Sequence, residues 1–200
     1  MTAPVIVLAS QNAKKAAELR SLLAPLGADV RPLSDWTAAA PAEDAPTFIE
    51  NALIKARHAA RLTGLPAIAD DSGLEVAALG GAPGVRSARY AGEPGDDAAN
   101  NRKLLAALAA VPIHQRQARF VCALVYLRHA EDPVPVIALG SWPGEILEAP
   151  RGSGGFGYDP LFGVPGLGKS AAELSAAEKA RLSHRGRALR SLLRQLQGLT

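Results

Sequence analysis

The sequence predicts an α/β protein, and three observations predict it. Val5 to Ala9 is a short apolar run followed at once by a polar turn and a helical pattern, the strand-then-helix order of that class. Phe120 to Leu127 is apolar on both alternating faces, as in a central strand covered on two sides. Leu19, Leu22, Leu23 and Leu26, and later Leu189, Leu192, Leu193 and Leu196, each mark one apolar helical face.

The totals agree. Two hundred residues suffice for one domain, or for two lobes sharing a core, without covalent staples. A content of 48% apolar and 20% charged residues, with no low-complexity tract, is that of a globular chain. The single cysteine, Cys122, lies inside an apolar run and reads as a small buried hydrophobe, which excludes a disulfide framework. The start, Met1 to Ser10, lacks a basic leader, so no signal peptide is expected. No segment has the length of a membrane span, and a soluble cytoplasmic protein is the expectation. The net charge of +3 is spread along the chain, so it permits a nucleic-acid partner without demanding one. An anionic small molecule suits it equally.

In chain order, Ser10, Gln11 and Asn12 offer N-caps to the first helix, which Gly27 stops. Lys14 and Lys15 sit in its first turn, where acids are the rule. A bound phosphate would account for them, and simple solvation would do so too. Val30 to Leu33 reads as a short strand, and residues 37–46 as an Ala/Pro-rich loop carrying Glu43 and Asp44. Thr47 and Glu50 have capping-box spacing, opening a helix that Gly64 and Pro66 end near Thr63, with Lys55 at its middle.

Ala67 to Val76, AIADDSGLEV, reads as a strand that stops at Asp70 and Asp71, followed by a turn at Ser72 and Gly73. The aspartates either form an Asx-type turn or offer carboxylates at a sheet edge, where one or two of them plus phosphates suit Mg²⁺. Gly80 to Gly84 is turn-rich and precedes Arg86, Arg89 and Tyr90. Asp96 or Asp97 caps a helix with Leu104, Leu108 and Val111 on its apolar side. Val134 to Leu139 reads as a strand beside Phe120 to Leu127, with Asp132-Pro133 as the turn.

Gly152 to Asp159 is glycine-rich around Phe156, which lets backbone approach a ligand and presents a stacking face; a glycine loop with a core Phe fits the same letters. Ser170 and Glu173 repeat the capping-box spacing, and an Ala-rich helix follows, interrupted by Ser183-His184-Arg185-Gly186. The last helix reads as a docked amphipathic element with Arg187, Arg190 and Arg194 off its apolar face. Gly163 to Ser170 satisfies the letters of a P-loop. The reading is rejected, because Pro160 breaks the segment before it and no later apolar strand ends in a metal-binding acid.

Seven blocks in order, from about Val5 to Leu196, resemble the Ham1/RdgB inosine triphosphate pyrophosphatases. They are Ser10-Gln-Asn-Ala-Lys-Lys15, Thr47 to Ala56, Ala69 to Leu74, Gly80 to Gly84, Ser87 to Tyr90, Gly155 to Phe162 and Ser183 to Gly186. The resemblance implies one domain over residues 1–200: a central mixed β-sheet flanked by helices, in two lobes with the active-site cleft between them. The implied activity is Mg²⁺-dependent hydrolysis of ITP, dITP and XTP to the monophosphate and pyrophosphate, by a homodimer that cleans the nucleotide pool, with no stable nucleic-acid partner and no membrane. Ser10, Gln11, Asn12, Ala13, Lys14 and Lys15 would hold the triphosphate, with Gln11 and Lys14 standing where the family often has glycine. Lys55 would lie close to it. Glu43 and Asp71 would bind Mg²⁺, Asp71 also serving as general base, and Ser72 would touch substrate. Phe156, Gly157, Tyr158 and Asp159 would grip the nucleoside, Lys179 would add a contact, and His184 and Arg185 would meet the 6-oxo edge of the purine. Asp70 would support Asp71 from behind.

Two other classes compete with this reading. A nucleotide- or single-strand-binding module without catalysis would use the basic balance and the Phe156 and Tyr158 rings. A P-loop phosphotransferase would release orthophosphate or transfer phosphoryl from ATP.

Overall fold

The computed structural model describes residues 4–10, 16, 19–20, 23 and 27–197. Gln11, Asn12, Ala13, Lys14 and Lys15, to which triphosphate binding was assigned, lie outside the described residues, as do Leu22 and Leu26. Seven strands form one sheet in the order β2-β1-β3-β4-β5-β6-β7. They are β1 (Val5–Ala9), β2 (Asp29–Pro32), β3 (Ala67–Val76), β4 (Gln117–Leu127), β5 (Val136–Ile146), β6 (Phe162–Val164) and β7 (Lys169–Ser170). β1 pairs in parallel with β2 and β3, whereas β5, β6 and β7 pair antiparallel, so the sheet is mixed. The helices are α1 (Phe48–Thr63), α2 (Asp97–Ala107), α3 (Ala176–Leu182) and α4 (His184–Gln197). None of them is long and apolar enough to cross a membrane.

The chain divides into two compact units. The first comprises Met1–Asp71, Cys122–Gly140 and Arg185–Thr200; the second comprises Ser72–Val121 and Ser141–His184. In the first, Leu8, Ile68, Leu124 and Leu192 are fully buried in one apolar cluster, each such side chain contributing about 1.5–3 kcal/mol. Ala16, Leu19 and Leu23 are helical and join it, so the first helical face points inward. Cys122 is buried there too. α1 packs on β1 and buries Ala52, Ala56, Ala59 and Ala60. Small side chains on that face let the helix lie close to the sheet. The second unit has its own core around Leu74, Leu104, Leu108, Trp142 and Phe162.

Local signals set several elements. Thr47 caps α1 by accepting from the Glu50 N–H at 3.2 Å, Gly64 closes it with φ +69°, and the helix runs to Thr63. The box is altered at one point, because Glu50 takes the Thr47 hydroxyl at 2.7 Å. Asp96 caps α2, accepting from Ala98 and Ala99. α4 buries Ala188, Leu189 and Leu192 and donates from Gln195 Nε2 to the Ile137 carbonyl, as a docked amphipathic helix should.

Five expectations are corrected. β3 does not stop at Asp70 and Asp71 but runs unbroken through Ser72-Gly73 to Val76, so there is no turn there. Two buried carboxylates fit inside a strand because basic side chains from distant parts of the chain face them. β5 does not stop at Leu139 but extends to Ile146, with Trp142, Gly144 and Ile146 inward and Pro143 outward. Gly144 is required, because a Cβ there would overlap the Phe162 ring and the Gly163 carbonyl oxygen. Ser170 and Glu173 do form a capping box, but it opens only a 3-10 turn, Ala171–Glu173; the following helix has its own box at Ser175 and Glu178. The interruption before α4 is Ser183 alone, extended at φ −67°, ψ 160°, while His184, Arg185 and Gly186 are its first turn. The short strand at Val30 to Leu33 is shifted by one residue to Asp29–Pro32, and Leu33 begins a 3-10 turn.

The rejected P-loop is a hairpin. Gly163 pairs with Ser170 and Val164 with Lys169, so the lysine and serine are strand residues and do not begin a helix. Ser170 Oγ donates to the Arg151 carbonyl at 2.7 Å.

Candidate functional site

In the first unit, the parallel strands place the acids. The register pairs Leu8 with Ile68 and Ala9 with Ala69, so Ser10 and Asp70 lie just past the carboxyl ends of β1 and its partner stretch of β3. That is where parallel α/β sheets bind ligands. Asp70 and Asp71 point to opposite faces of β3 because successive strand residues do, and each meets a different cation.

Asp71 meets Lys55. Lys55 Nζ donates to Glu43 Oε2 at 2.7 Å and to Asp71 Oδ1 at 3.1 Å, so one ammonium bridges two carboxylates from separate segments. Burial pulls the lysine pKa down, but the carboxylates of Asp71, Asp70 and Glu43 outweigh it and hold the ammonium above the ordinary range. Lys55 is therefore a charged donor at neutral pH and cannot act as a base. Asp70 meets Arg185, whose Nε lies 3.6 Å from Asp70 Oδ2, with side chains only 5% and 1% exposed. Arg185 thus braces the acid pair from the first turn of α4.

Glu43 reaches Lys55 from a segment that is half-buried at Glu43 and exposed at Asp44, which separates the two neighbouring acids. Sequence reasoning missed what holds that segment. Asn51 on α1 accepts from the Ala45 N–H at 3.0 Å and donates to the Ala45 carbonyl at 3.2 Å. Its burial, 1% exposed, goes against the solvated position its residue type suggests on a helix, and no local pattern signals the bond.

In the second unit, Asp159 organises the glycine loop. Its Oδ2 accepts from the Phe156 N–H at 2.8 Å and from Lys179 Nζ at 2.5 Å. The Lys179 ammonium also lies 5.3 Å from the Phe156 ring centroid. Gly155, with φ +74°, is the position that permits this, because a Cβ there would overlap Asp159 Oδ2. Tyr158 is buried, and its hydroxyl donates to the Ser87 carbonyl at 2.8 Å. Burial pushes its phenol pKa up, and its ring belongs to the core of the unit, so of the two loop rings Phe156 is the one on the loop surface.

Gly157 is gripped by α2 at both ends of one residue: its N–H donates to Asp97 Oδ2 at 2.8 Å, and Asn101 Nδ2 donates to its carbonyl at 2.8 Å. Asp97 and Asn101 were also missed, although their spacing of four puts them on one helix face. His184 is 3% exposed, its ring stacked on Phe120 at 4.8 Å and Trp142 at 6.4 Å. Ser72 is half-buried in β3.

The donor set suits a hard cation. Glu43 Oε2 and Asp71 Oδ1 both accept from the Lys55 ammonium, at 2.7 and 3.1 Å, so two carboxylates from separate segments face one place. Among the described residues no three His, Cys, Asp or Glu side chains form a cluster that could hold a metal by themselves. Two carboxylates with the remaining positions left to phosphate and water is the pattern Mg²⁺ takes.

Comparison with known proteins adds to this geometry. The model of the Ham1 family matches residues 6–195. A dITP/XTP pyrophosphatase of Shigella flexneri is 59% identical over 192 residues, covering 96% of this chain and 98% of that protein. One from Thioalkalivibrio sulfidiphilus is 60% identical over 193 residues, with the same coverage. Among solved structures, a HAM1 protein from Coxiella burnetii is similar with a TM-score of 0.90 and 49% identity, over 98% of this chain and 99% of that one.

Proposed function

The chain belongs to the Ham1 family, and from that premise we propose how the residues above divide the work of a pyrophosphatase. It is a nucleoside-triphosphate pyrophosphatase that hydrolyses non-canonical purine nucleoside triphosphates such as dITP and XTP to the monophosphate and pyrophosphate. The observation that carries the residue assignment is the Lys55 ammonium bridged between Glu43 and Asp71.

Asp71 is the general base. A water held at its carboxylate loses a proton to it, the water oxygen bonds to the α-phosphorus, and the bond from that phosphorus to the bridging oxygen breaks, so pyrophosphate leaves. Lys55 fixes Asp71 by hydrogen bonding and offers its positive charge to phosphate oxygens. Glu43 and Asp71 would hold Mg²⁺, which when bound would neutralise phosphate charge. Ser10, Gln11, Asn12, Ala13, Lys14 and Lys15 take the triphosphate, and Ser72 touches substrate. Phe156 stacks on the base, while Gly157, Tyr158, Asp159 and Lys179 form and brace the loop that presents it.

His184 and Arg185 select a 6-oxo purine. Their donors pair with a keto oxygen, whereas the amino group of adenine would leave them unpaired, at about 1–3 kcal/mol per group. Arg185 is suited to this by its rigidity, being buried and paired with Asp70. The reading includes a homodimer in the cytoplasm.

Product identity tests it. ITP, dITP and XTP should yield pyrophosphate with Mg²⁺ and none when the ion is chelated, and ATP, which lacks the 6-oxo group, should be a poor substrate. Orthophosphate as the product from ATP would overturn the reading in favour of phosphoryl transfer. Single-strand affinity that falls steeply with salt, with no pyrophosphate released, would favour a binding module instead.

A further inference from the structure

Residues 41–46 approach α1 without regular backbone pairing, yet their exposure alternates. Pro41, Glu43 and Ala45 are half-buried, and Ala42, Asp44 and Pro46 are exposed. This is the alternation of extended chain, and it puts the neighbouring acids Glu43 and Asp44 on opposite sides. A slip of one residue would exchange them. The Lys55 ammonium cannot prevent that exchange, because it would accept either carboxylate.

Asn51 reads backbone position and not charge. Its Oδ1 and Nδ2 bond to the N–H and carbonyl of the same residue, Ala45, as the two residues of a hydrogen-bonded antiparallel pair do for each other. Asparagine is an indifferent helix former, and its buried carboxamide is costly unless both ends are bonded. Its presence in the first turns of α1 is accounted for by this clamp. We propose that Asn51 is a positioning residue that sets the register of residues 41–46, so that Glu43 and not Asp44 faces Lys55 and Asp71. The proposal rests on the reading of Glu43 and Asp71 as the metal-holding pair.

The test is Mg²⁺ binding to the full chain without substrate, by calorimetry, beside the Mg²⁺ concentration that half-saturates pyrophosphate release. Glu43→Gln should weaken binding, and Asp44→Asn should leave it unchanged. Asn51→Ala should weaken it on the order of 10- to 100-fold, the range for residues that orient metal ligands. In the Asn51→Ala background, Asp44→Asn should then cause a further loss, because the freed segment can present Asp44. Should Asn51→Ala not fold, Asn51→Asp keeps the acceptor for the Ala45 N–H, loses the donor, and should shift binding in the same direction. The Ala45 amide of the unmodified protein should exchange slowly with solvent. Binding by the Asn51 variants within about twofold of the parent while Glu43→Gln is weakened, or fast exchange at Ala45, overturns the clamp. Unchanged binding by Glu43→Gln overturns the metal reading, and the clamp with it.

Discussion

The acids around Lys55 and the loop around Asp159 both centre on a lysine–carboxylate pair, and they differ in stoichiometry. Lys55 serves two carboxylates, with Asp70 close enough to raise its pKa as well. Lys179 serves one, and Asp159 spends its remaining capacity on the Phe156 N–H. The first arrangement gathers acids from separate segments onto one ammonium; the second joins one acid to one ammonium, and its output is the position of a ring.

Substitutions can break or sharpen this contrast. The largest effect belongs to Asp71→Asn, which should fold normally and lose on the order of 10²–10⁴ in kcat on dITP, the range for a general base; unchanged turnover would remove Asp71 from the chemistry. Asp70→Asn should act on stability instead. It removes the carboxylate charge that faces the buried Arg185 guanidinium, a loss of about 3 kcal/mol, read as a lower denaturation midpoint. If Asp70→Asn and Asp71→Asn gave the same profile, the division of labour along β3 would be wrong.

On the loop side, Phe156→Ala should raise KM and leave kcat close to the parent value. One base–aromatic stack is worth about 1–3 kcal/mol, on the order of 5- to 150-fold in KM. A fall in kcat with KM unchanged would erase the contrast between the two regions. The smallest effect is one of pH. Because its neighbours raise Lys55 in the folded state, its stabilisation is fully present below the ordinary lysine pKa of 10.5 and is lost as pH rises through the higher folded value. The stability difference between the parent and Lys55→Met, measured without divalent ions, should therefore stay constant up to about pH 10.5 and shrink above it.

Features with local causes were legible in the sequence. α1 starts and stops at a cap and a glycine that neighbour it, and β1 is a bounded apolar run, so both match residue for residue. The continuation of β3 through Asp-Asp-Ser-Gly was not legible, because its two carboxylates are stabilised by Lys55 and Arg185, which nothing in the local pattern announces. The same holds for β5, where Gly144 looks like a break and is needed for the Phe162 ring beside it. Within the site, Glu43, Lys55 and Asp71 were named from a family resemblance, and the fold brings them together. Asn51, Asp97 and Asn101 were missed, because their work is to bond backbone outside their own helices, at Ala45 and Gly157, and a polar side chain on a helix carries no mark of that.

The division of the chain bears on how this protein can vary over generations. The boundary between the two units cuts β3 between Asp71 and Ser72, β4 between Val121 and Cys122, β5 between Gly140 and Ser141, and α4 between His184 and Arg185. Recombination that joined either unit to a new partner would have to sever three strands and a helix and splice scattered pieces. The acids and the glycine loop around Asp159 are therefore inherited together, and variation at either has to come from point changes inside one indivisible gene segment.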